Sequence, residues 1–550
     1  MCYINTHNEN KNTWGIKMGI VRQKDKRSGI TYAYESISYW DKEKRQSRSR
    51  RRLIGRVGAD GEIIPTDGRC RHDGENPLRT RRRGPLPVTQ IQRSYYGATY
   101  LLDAIADSTG VADDLRQCFP DDHRKILSVA YFLILGGSRA LMNFRYWAAD
   151  HLHPHGADLS SQDCSRLFAS MTEAQSRSFF RMQGRRRLEK EYWAYDSTSI
   201  SSYSETLRQV KYGKNKESDH LPQMNLLLLY GEKSGLPFYY RRLSGNIPDV
   251  KTVNTLVREL DALGYGKVKF VMDRGFYSKD NIDRLYQHHH KFIVAVSTGL
   301  SFVRKRIEAV RDTIRDYGCH DATYGLGVST ATMEWEYAQA RPHKGDVLNE
   351  KRRMYLHVFY SVQKAAEEEL ELNDRLDSLR EEILAGRRRE AHETAYARFF
   401  EIRETPKRGL AVTVKEEAVR EARREHGFFA LVSNEVKEPV AALGIYRGKD
   451  VVEKAFGNLK ERLNCRRFLT SSEASLNGKL FVEFVALILL AYVHKRMQLK
   501  GLYKEYTLEQ VLLELDSIQS FCEPGRRPIV GEVLERQRKI YEAMGVEPPK

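Results

Sequence analysis

Three carboxylates stand where a folded chain could gather divalent metal ions. Asp196 lies inside a strand-like run, YWAYDSTSI, and Asp273 closes another, KFVMDRGF, with Gly275 marking the turn beyond it. Acids at strand ends of an α/β sheet are presented to one edge, where ligands collect. The third, Glu453, lies in IYRGKDVVEKAFGNLKERL. Advancing about 100° per residue from Tyr446, Lys449 falls at about −60°, Glu453 at about −20° and Lys460 at about −40°. A single helix then carries a ring, two cations and an acid along one stripe. Val451, Val452, Ala455, Phe456 and Leu459 form a separate apolar face. Carboxylate oxygens suit Mg²⁺ or Mn²⁺. Two such ions about 3.5–4 Å apart can activate a water or a 3′-hydroxyl and stabilise the leaving oxygen in phosphodiester cleavage. Each feature also has a plainer reading: a strand-end Asp caps a turn, and the stripe is an amphipathic helix with ordinary i,i+4 charges.

The elements around these residues follow from pattern and charge. The 550-residue chain carries a net charge of +18 and 41% apolar residues. That apolar content excludes wholesale disorder, and the positive surplus points to a polyanion such as nucleic acid. Residues 1–95 hold 21 Lys or Arg against 10 Asp or Glu, so +11 of the charge sits there. ITYAYESISYW (30–40) alternates as a strand does, and a second strand is expected after the run Arg48, Arg50, Arg51, Arg52. A further cluster, Arg79 with Arg81 to Arg83, precedes Pro85 and Pro87. Phosphate contacts are the functional reading of these arginines, and a solvated tail is the other.

A boundary near 85–95 separates this basic region (1–95) from a helical domain (96–190). An α/β core follows in two parts, 191–300 and 427–500. The interruption at 301–426 begins with β-like segments and continues as a charged helical hairpin. Residues 501–550 read as a C-terminal helical region. The seven cysteines include no C-x-x-C pair, which argues against a disulfide scaffold or zinc ribbon and fits reduced thiols in the cytoplasm. The longest apolar run, Leu480 to Val493, carries Glu483 and is shorter than the ~20 residues of a membrane span. It reads as a buried core helix. His151, His153 and His155 read as a polar loop, His288 to His290 as surface residues, and Trp335 as core, with base stacking as its alternative.

The spacing Tyr446-x2-Lys449-x3-Glu453-x6-Lys460 resembles the Y-x2-R-x3-E-x6-K signature of DDE transposases of the insertion-sequence-four family. The similarity is closest to the branch with large insertions and a basic N-terminal β region. Tyr195-Asp196-Ser197-Thr198 looks like that family's first-Asp strand, and Asp273-Arg274-Gly275 matches its second-Asp motif. Pro222-Gln223 with LLLLYGEKSGLPFYYRRLSGN resembles its second and third strands, and HGFFALVSN precedes the signature helix. The likeness spans roughly residues 30–510. It implies a ribonuclease H-like α/β core with a large mixed β/helical insertion, a basic N-terminal β region and a helical segment.

By the same resemblance Asp196, Asp273 and Glu453 are the catalytic triad and hold two Mg²⁺ or Mn²⁺ ions. Tyr446, Lys449, Lys460 and Arg274 contact DNA at this centre, and Arg50, Arg51 and Arg52 contact it from the N-terminal region. Lys449 stands where arginine is usual, which keeps the charge and loses the planar fork. The implied partners are double-stranded DNA with inverted-repeat ends, target DNA and a second copy of the chain on DNA. The alternatives are a nuclease without strand transfer and a transposase-derived DNA-binding protein. The intact acids argue against the binder.

Overall fold

Alternating aromatic, β-branched and polar residues put the N-terminal end into strands. β1 (Lys17–Lys24), β2 (Thr31–Asp41), β3 (Gln46–Val57) and β4 (Ile63–Ile64) form an antiparallel sheet in that order. In this computed structural model the described residues are 17–26, 28–65, 91–137, 139–188, 190–204, 206–213, 221–341, 345–405, 409–463, 467–468, 472–523 and 527–550. The sheet belongs to the first of two compact units, Met1–Val88 and Thr89–Lys550.

The arginine run, expected ahead of the second strand, lies inside it. Arg50 is opposite Ile37, Arg51 opposite Ser36 and Arg52 opposite Glu35. Successive strand side chains point to opposite faces. The run is therefore divided: Arg48, Arg50 and Arg52 share one face with Arg22, which is paired to Ala33, and Arg51 lies on the other. Arg48 also meets Asp41 at 3.3 Å. The cluster Arg79 with Arg81 to Arg83 lies outside the described residues.

The second unit opens with β5 (Gln92–Tyr95) and six helices: α1 (Gly97–Ser108), α2 (Val111–Cys118), α3 (His123–Leu135), α4 (Phe144–Asp150), α5 (Ser161–Ser170) and α6 (Glu173–Arg185). Ser160 caps α5 reciprocally with Asp163. Next comes a meander of β6 (Trp193–Ser202), β7 (Gln223–Gly231) and β8 (Pro237–Ser244). It leads into α7 (Asp249–Ala262), β9 (Lys269–Met272), α8 (Lys279–Gln287) and β10 (Lys291–Val296). β6 pairs antiparallel with β7 and parallel with β9, and β10 runs parallel to β9. β6 is buried along its whole length.

Within the interruption at 301–426, the first strands join the core sheet. After α9 (Ser301–Val310), β11 (His320–Asp321), β12 (Leu326–Arg341) and β13 (Asp346–Tyr360) extend the same sheet. The apolar end of β13, MYLHVFY, is buried and pairs with the returning strand. The charged stretch then forms α10 (Val362–Leu384), α11 (Glu393–Phe399), the hairpin β14 (Phe400–Thr405) and β15 (Gly409–Val414), and α12 (Glu416–Arg423). Leu376, Leu379, Ile383, Tyr396, Phe399, Phe400 and Val419 give it a small core of its own. β16 (Phe428–Ser433) completes the sheet order β11-β12-β13-β16-β10-β9-β6-β7-β8.

The chain continues through α13 (Pro439–Gly448), α14 (Asp450–Gly457), a π-helical turn (Asn458–Arg462) and β17 (Arg467–Phe468), which pairs with β6. α15 (Glu473–Leu499) has 27 residues, many more than its apolar stretch. By length and composition it could cross a membrane, yet 83% of its apolar window is buried inside the protein. It packs on α3 and α5. A Cβ at Gly478 would lie 2.1 Å from the Phe168 carbonyl, so α5 crosses α15 where there is no side chain. α16 (Leu508–Asp516), β18 (Gln519–Cys522), β19 (Ile529–Val530) and α17 (Glu535–Met544) follow, and β18 pairs with β5 near the start of the unit.

Two histidines in this core set a pH dependence. His290 and His357 are fully buried. Burial pushes both imidazoles down to about 4 from the usual 6.5. Between those values the unfolded chain binds protons that the folded chain refuses, so stability is full above about pH 6.5 and falls as pH drops towards 4. Each histidine contributes up to about 1.4 kcal/mol per pH unit in that window. Melting temperatures recorded from pH 7 to 5 are expected to decline, and less steeply in His290→Asn and His357→Asn. Equal slopes in all three proteins would assign the titration to other groups.

Candidate active site

The site is made by a difference in strand length. Tyr195 of β6 is in register with Met272 of β9, and β9 ends there while β6 continues. The next residue on each strand is an aspartate. Paired strands lie about 4.8 Å apart, so Asp196 and Asp273 stand side by side at the point where β9 stops. Asp273 keeps an extended backbone (φ −76°, ψ 167°) and leads into a tight turn, Arg274–Phe276. Asp196 is 9% exposed, and its Oδ1 accepts from the Ser197 N–H at 2.7 Å.

α13 supplies the opposing wall. Tyr446 Oη donates to Asp273 Oδ1 at 2.6 Å, and Lys449 Nζ donates to Asp273 Oδ2 at 2.8 Å. Both carboxylate oxygens thus receive a donor from one helix end. The Lys449 side chain is 3% exposed, and the Asp273 carboxylate replaces much of its lost hydration. A cavity of about 300 Å³ is lined by Asp196, Asp249, Asp273, Arg274, Gly275, Phe276 and Tyr446. A second cavity, about 570 Å³, shares Arg274 and Tyr446 and continues past Ser297, Thr298, Arg304, Lys364 and Arg398. The carboxylates that line the smaller cavity offer hard oxygen donors, which fit Mg²⁺ or Mn²⁺ and do not suit a soft, thiolate-seeking metal.

The single helix expected over 446–460 is divided. α13 stops at Gly448, and Lys449 retains helical angles (φ −62°, ψ −22°) between α13 and α14. Tyr446 and Lys449, three residues apart, therefore stay on one side and meet the same carboxylate. Lys460 lies in the π-helical turn, where each turn holds more residues than 3.6. Its angular position of about −40°, which assumes a regular helix, does not carry over. Phe456 and Leu459 are buried as an apolar face requires. Glu453 belongs to α14 by its backbone; its side chain lies outside the described residues.

Asp249 carries no signal in the sequence pattern. An acid in the first turn of a helix after proline looks like an ordinary favourable charge at a helix start. Only the tertiary structure brings it to the cavity, where its Oδ1 accepts from Ser197 Oγ at 2.6 Å.

Other candidates resolve into packing. His151 stacks on Trp147 at 4.6 Å and reaches Asp516 at 3.1 Å, and His153 Nδ1 meets Ser128 Oγ at 3.0 Å. His290 is buried, not at the surface as expected. It groups with His288 and Asp261. Its Nδ1 accepts from the Val268 N–H at 3.2 Å, so the neutral ring keeps its proton on Nε2 and offers no lone pair there for a metal. Trp335 is 8% exposed and donates from Nε1 to Asp283 at 2.7 Å, as a core tryptophan does.

Residues 188–489 match the family described as the transposase DDE domain. The match covers more than half of the 550 residues and includes Asp196, Asp273, Tyr446, Lys449, Glu453 and Lys460. The arginine-bearing sheet lies before it. No curated protein matches the chain. Among solved structures, the cryo-EM structure of the piggyBac transposase synaptic complex with hairpin DNA is similar at 11% identity, with a TM-score of 0.32, over 76% of this chain and 70% of that one.

Proposed function

The chain belongs to the transposase DDE domain family, and from that footing we propose that it is a DNA transposase of the insertion-sequence-four type that cleaves the ends of its element and joins them to target DNA. The observation that carries this reading is that Asp196 and Asp273 each follow the last registered pair of the parallel strands β6 and β9, with Asp273 held by Tyr446 of α13 and by Lys449 just beyond that helix. The strand arrangement supports a ribonuclease H-like core: β6, β7 and β8 antiparallel, with β9 and β10 parallel to β6.

Asp196, Asp273 and Glu453 would hold two Mg²⁺ or Mn²⁺ ions. Bound there, the ions would activate the attacking water or 3′-hydroxyl and stabilise the leaving oxygen. The chain's own groups do the rest. Tyr446 and Lys449 hold Asp273 at both oxygens. Arg274, exposed between the two cavities, and Lys460 would meet phosphates. The double-stranded substrate would be held by a homodimer. The test incubates the purified protein with Mg²⁺ and duplex oligonucleotides ending in the element's inverted repeats, together with a supercoiled target. Cleavage at the repeat boundary and joined products are expected. Cleavage without joining would reduce the protein to a nuclease, and binding without cleavage would leave only a DNA-binding role.

The N-terminal sheet supplies a second prediction. Arg48, Arg50 and Arg52 lie on one face and Arg51 on the other, which supports a larger share of the phosphate contacts for the first face. Each phosphate contact contributes about 0.9 to the slope of log affinity against log salt. Arg50→Ala with Arg52→Ala is expected to lower that slope by about 1.8 and to weaken binding at every sequence. Arg51→Ala should change it little. Equal slopes for the wild type and the double variant would make the region a solvated surface.

A further inference from the structure

Asp249 is tied to the site from two directions. Its Oδ1 accepts from Ser197 Oγ, and the backbone N–H of the same serine donates to Asp196 Oδ1. One residue therefore links the two carboxylates across β6, its side chain on the α7 face and its amide on Asp196. From the other side, Asp249 Oδ2 lies 3.9 Å from where a Cβ of Gly275 would stand, against the turn that follows Asp273. Asp249 lines the same cavity as Asp196 and Asp273.

The start of α7 is anchored so that this carboxylate keeps its position. Thr252 Oγ1 donates to the Asp249 carbonyl at 2.6 Å, and the buried Tyr195 Oη donates to Thr252 Oγ1 at 2.8 Å. Mg²⁺ and Mn²⁺ bound by few protein ligands retain several waters, and carboxylates beyond the direct ligands accept from those waters and orient the ligands. We propose that Asp249 is a positioning residue of the divalent-metal site: it holds Asp196 through Ser197 and accepts a hydrogen bond from a water on the ion bound by Asp196 and Asp273. This rests on the metal-dependent reading above.

The test titrates Mn²⁺ alone into the full-length protein and measures free Mn²⁺ by electron paramagnetic resonance, with end-DNA affinity and metal-free melting recorded alongside. Asp249→Asn is expected to weaken Mn²⁺ binding by about tenfold or more, within the ~10–100-fold typical of such outer partners. Its DNA affinity and metal-free melting temperature should be retained, because the amide oxygen can still accept from Ser197. It should also raise the Mn²⁺ concentration needed for half-maximal cleavage. Ser197→Ala should weaken Mn²⁺ binding less, since the backbone N–H to Asp196 remains. Mn²⁺ affinity within twofold of wild type in Asp249→Asn overturns the inference, as does a loss matched by an equal fall in metal-free stability. Asp196→Asn separates the two claims. If it abolishes Mn²⁺ binding while Asp249→Asn does not, only the role of Asp249 fails. If the wild type binds no Mn²⁺, the metal site itself is overturned.

Discussion

Asp196→Asn is expected to bind end DNA at least as well as the wild type and to cleave it about 10³-fold more slowly or worse, a loss of about 4 kcal/mol in transition-state stabilisation. The amide oxygen can still accept from the Ser197 N–H, so the strand keeps its local geometry. What disappears is the negative charge that an ion at this position needs. Removing an anion from a surface facing phosphates also favours DNA binding. Asp273→Asn should lose cleavage to the same degree with an added structural effect. Its amide presents one acceptor and one donor where Tyr446 and Lys449 both donate, so one of those contacts is lost. Glu453→Gln is expected to match Asp196→Asn. Gel-based cleavage with Mg²⁺, run beside filter binding, reads both quantities. Near-wild-type cleavage by any of the three would remove that residue from the triad.

The next largest effect is expected at Lys449, where charge and position can be separated. Lys449→Glu sets a carboxylate in a 3%-exposed position against Asp273. A favourable pair becomes a repulsive one in a poorly hydrated place. Losing a buried pair costs about 3–5 kcal/mol; Asp273 is one-third exposed, so a value near or below the lower end is expected. Cleavage should fall by more than about 10²-fold, and the melting temperature should drop. Lys449→Arg should keep most activity, because it preserves the charge and restores the residue that the resembled family usually carries. Lys449→Met separates the two effects by keeping the stem and losing the cation. Its stability should lie between the other two, with cleavage near that of Lys449→Glu. Retained cleavage and melting temperature in Lys449→Glu would show that the contact with Asp273 does not matter in solution.

Much of this was readable from residue order. Periodicity of two located β2, while short apolar or aromatic runs between turns located β6, β7 and β10, whose two faces are both largely buried. Apolar spacing and caps located α1, α5 and α7. The motif spacing marked Asp196, Asp273, Tyr446 and Lys449, since residues three apart on a helix share a side whatever that helix packs against. The arginine run showed where charge accumulates but not which face carries it. That needed the register of β2 against β3, which separates Arg51 from Arg50 and Arg52.

The sequence by itself determined the local elements, the basic N-terminal end and which acids stand as candidates, because these depend on near neighbours along the chain. Only the tertiary structure decided that the β12–β13 hairpin joins the central sheet, that the charged hairpin has its own core and that Asp249 reaches the cavity. Each of these rests on contacts between residues far apart in sequence. Ser197 and Asp249 are 52 residues apart, and Tyr446 and Asp273 are 173 apart. A side chain's neighbours at such separations are set by which strand ends first and which helix crosses it, and no local pattern encodes that.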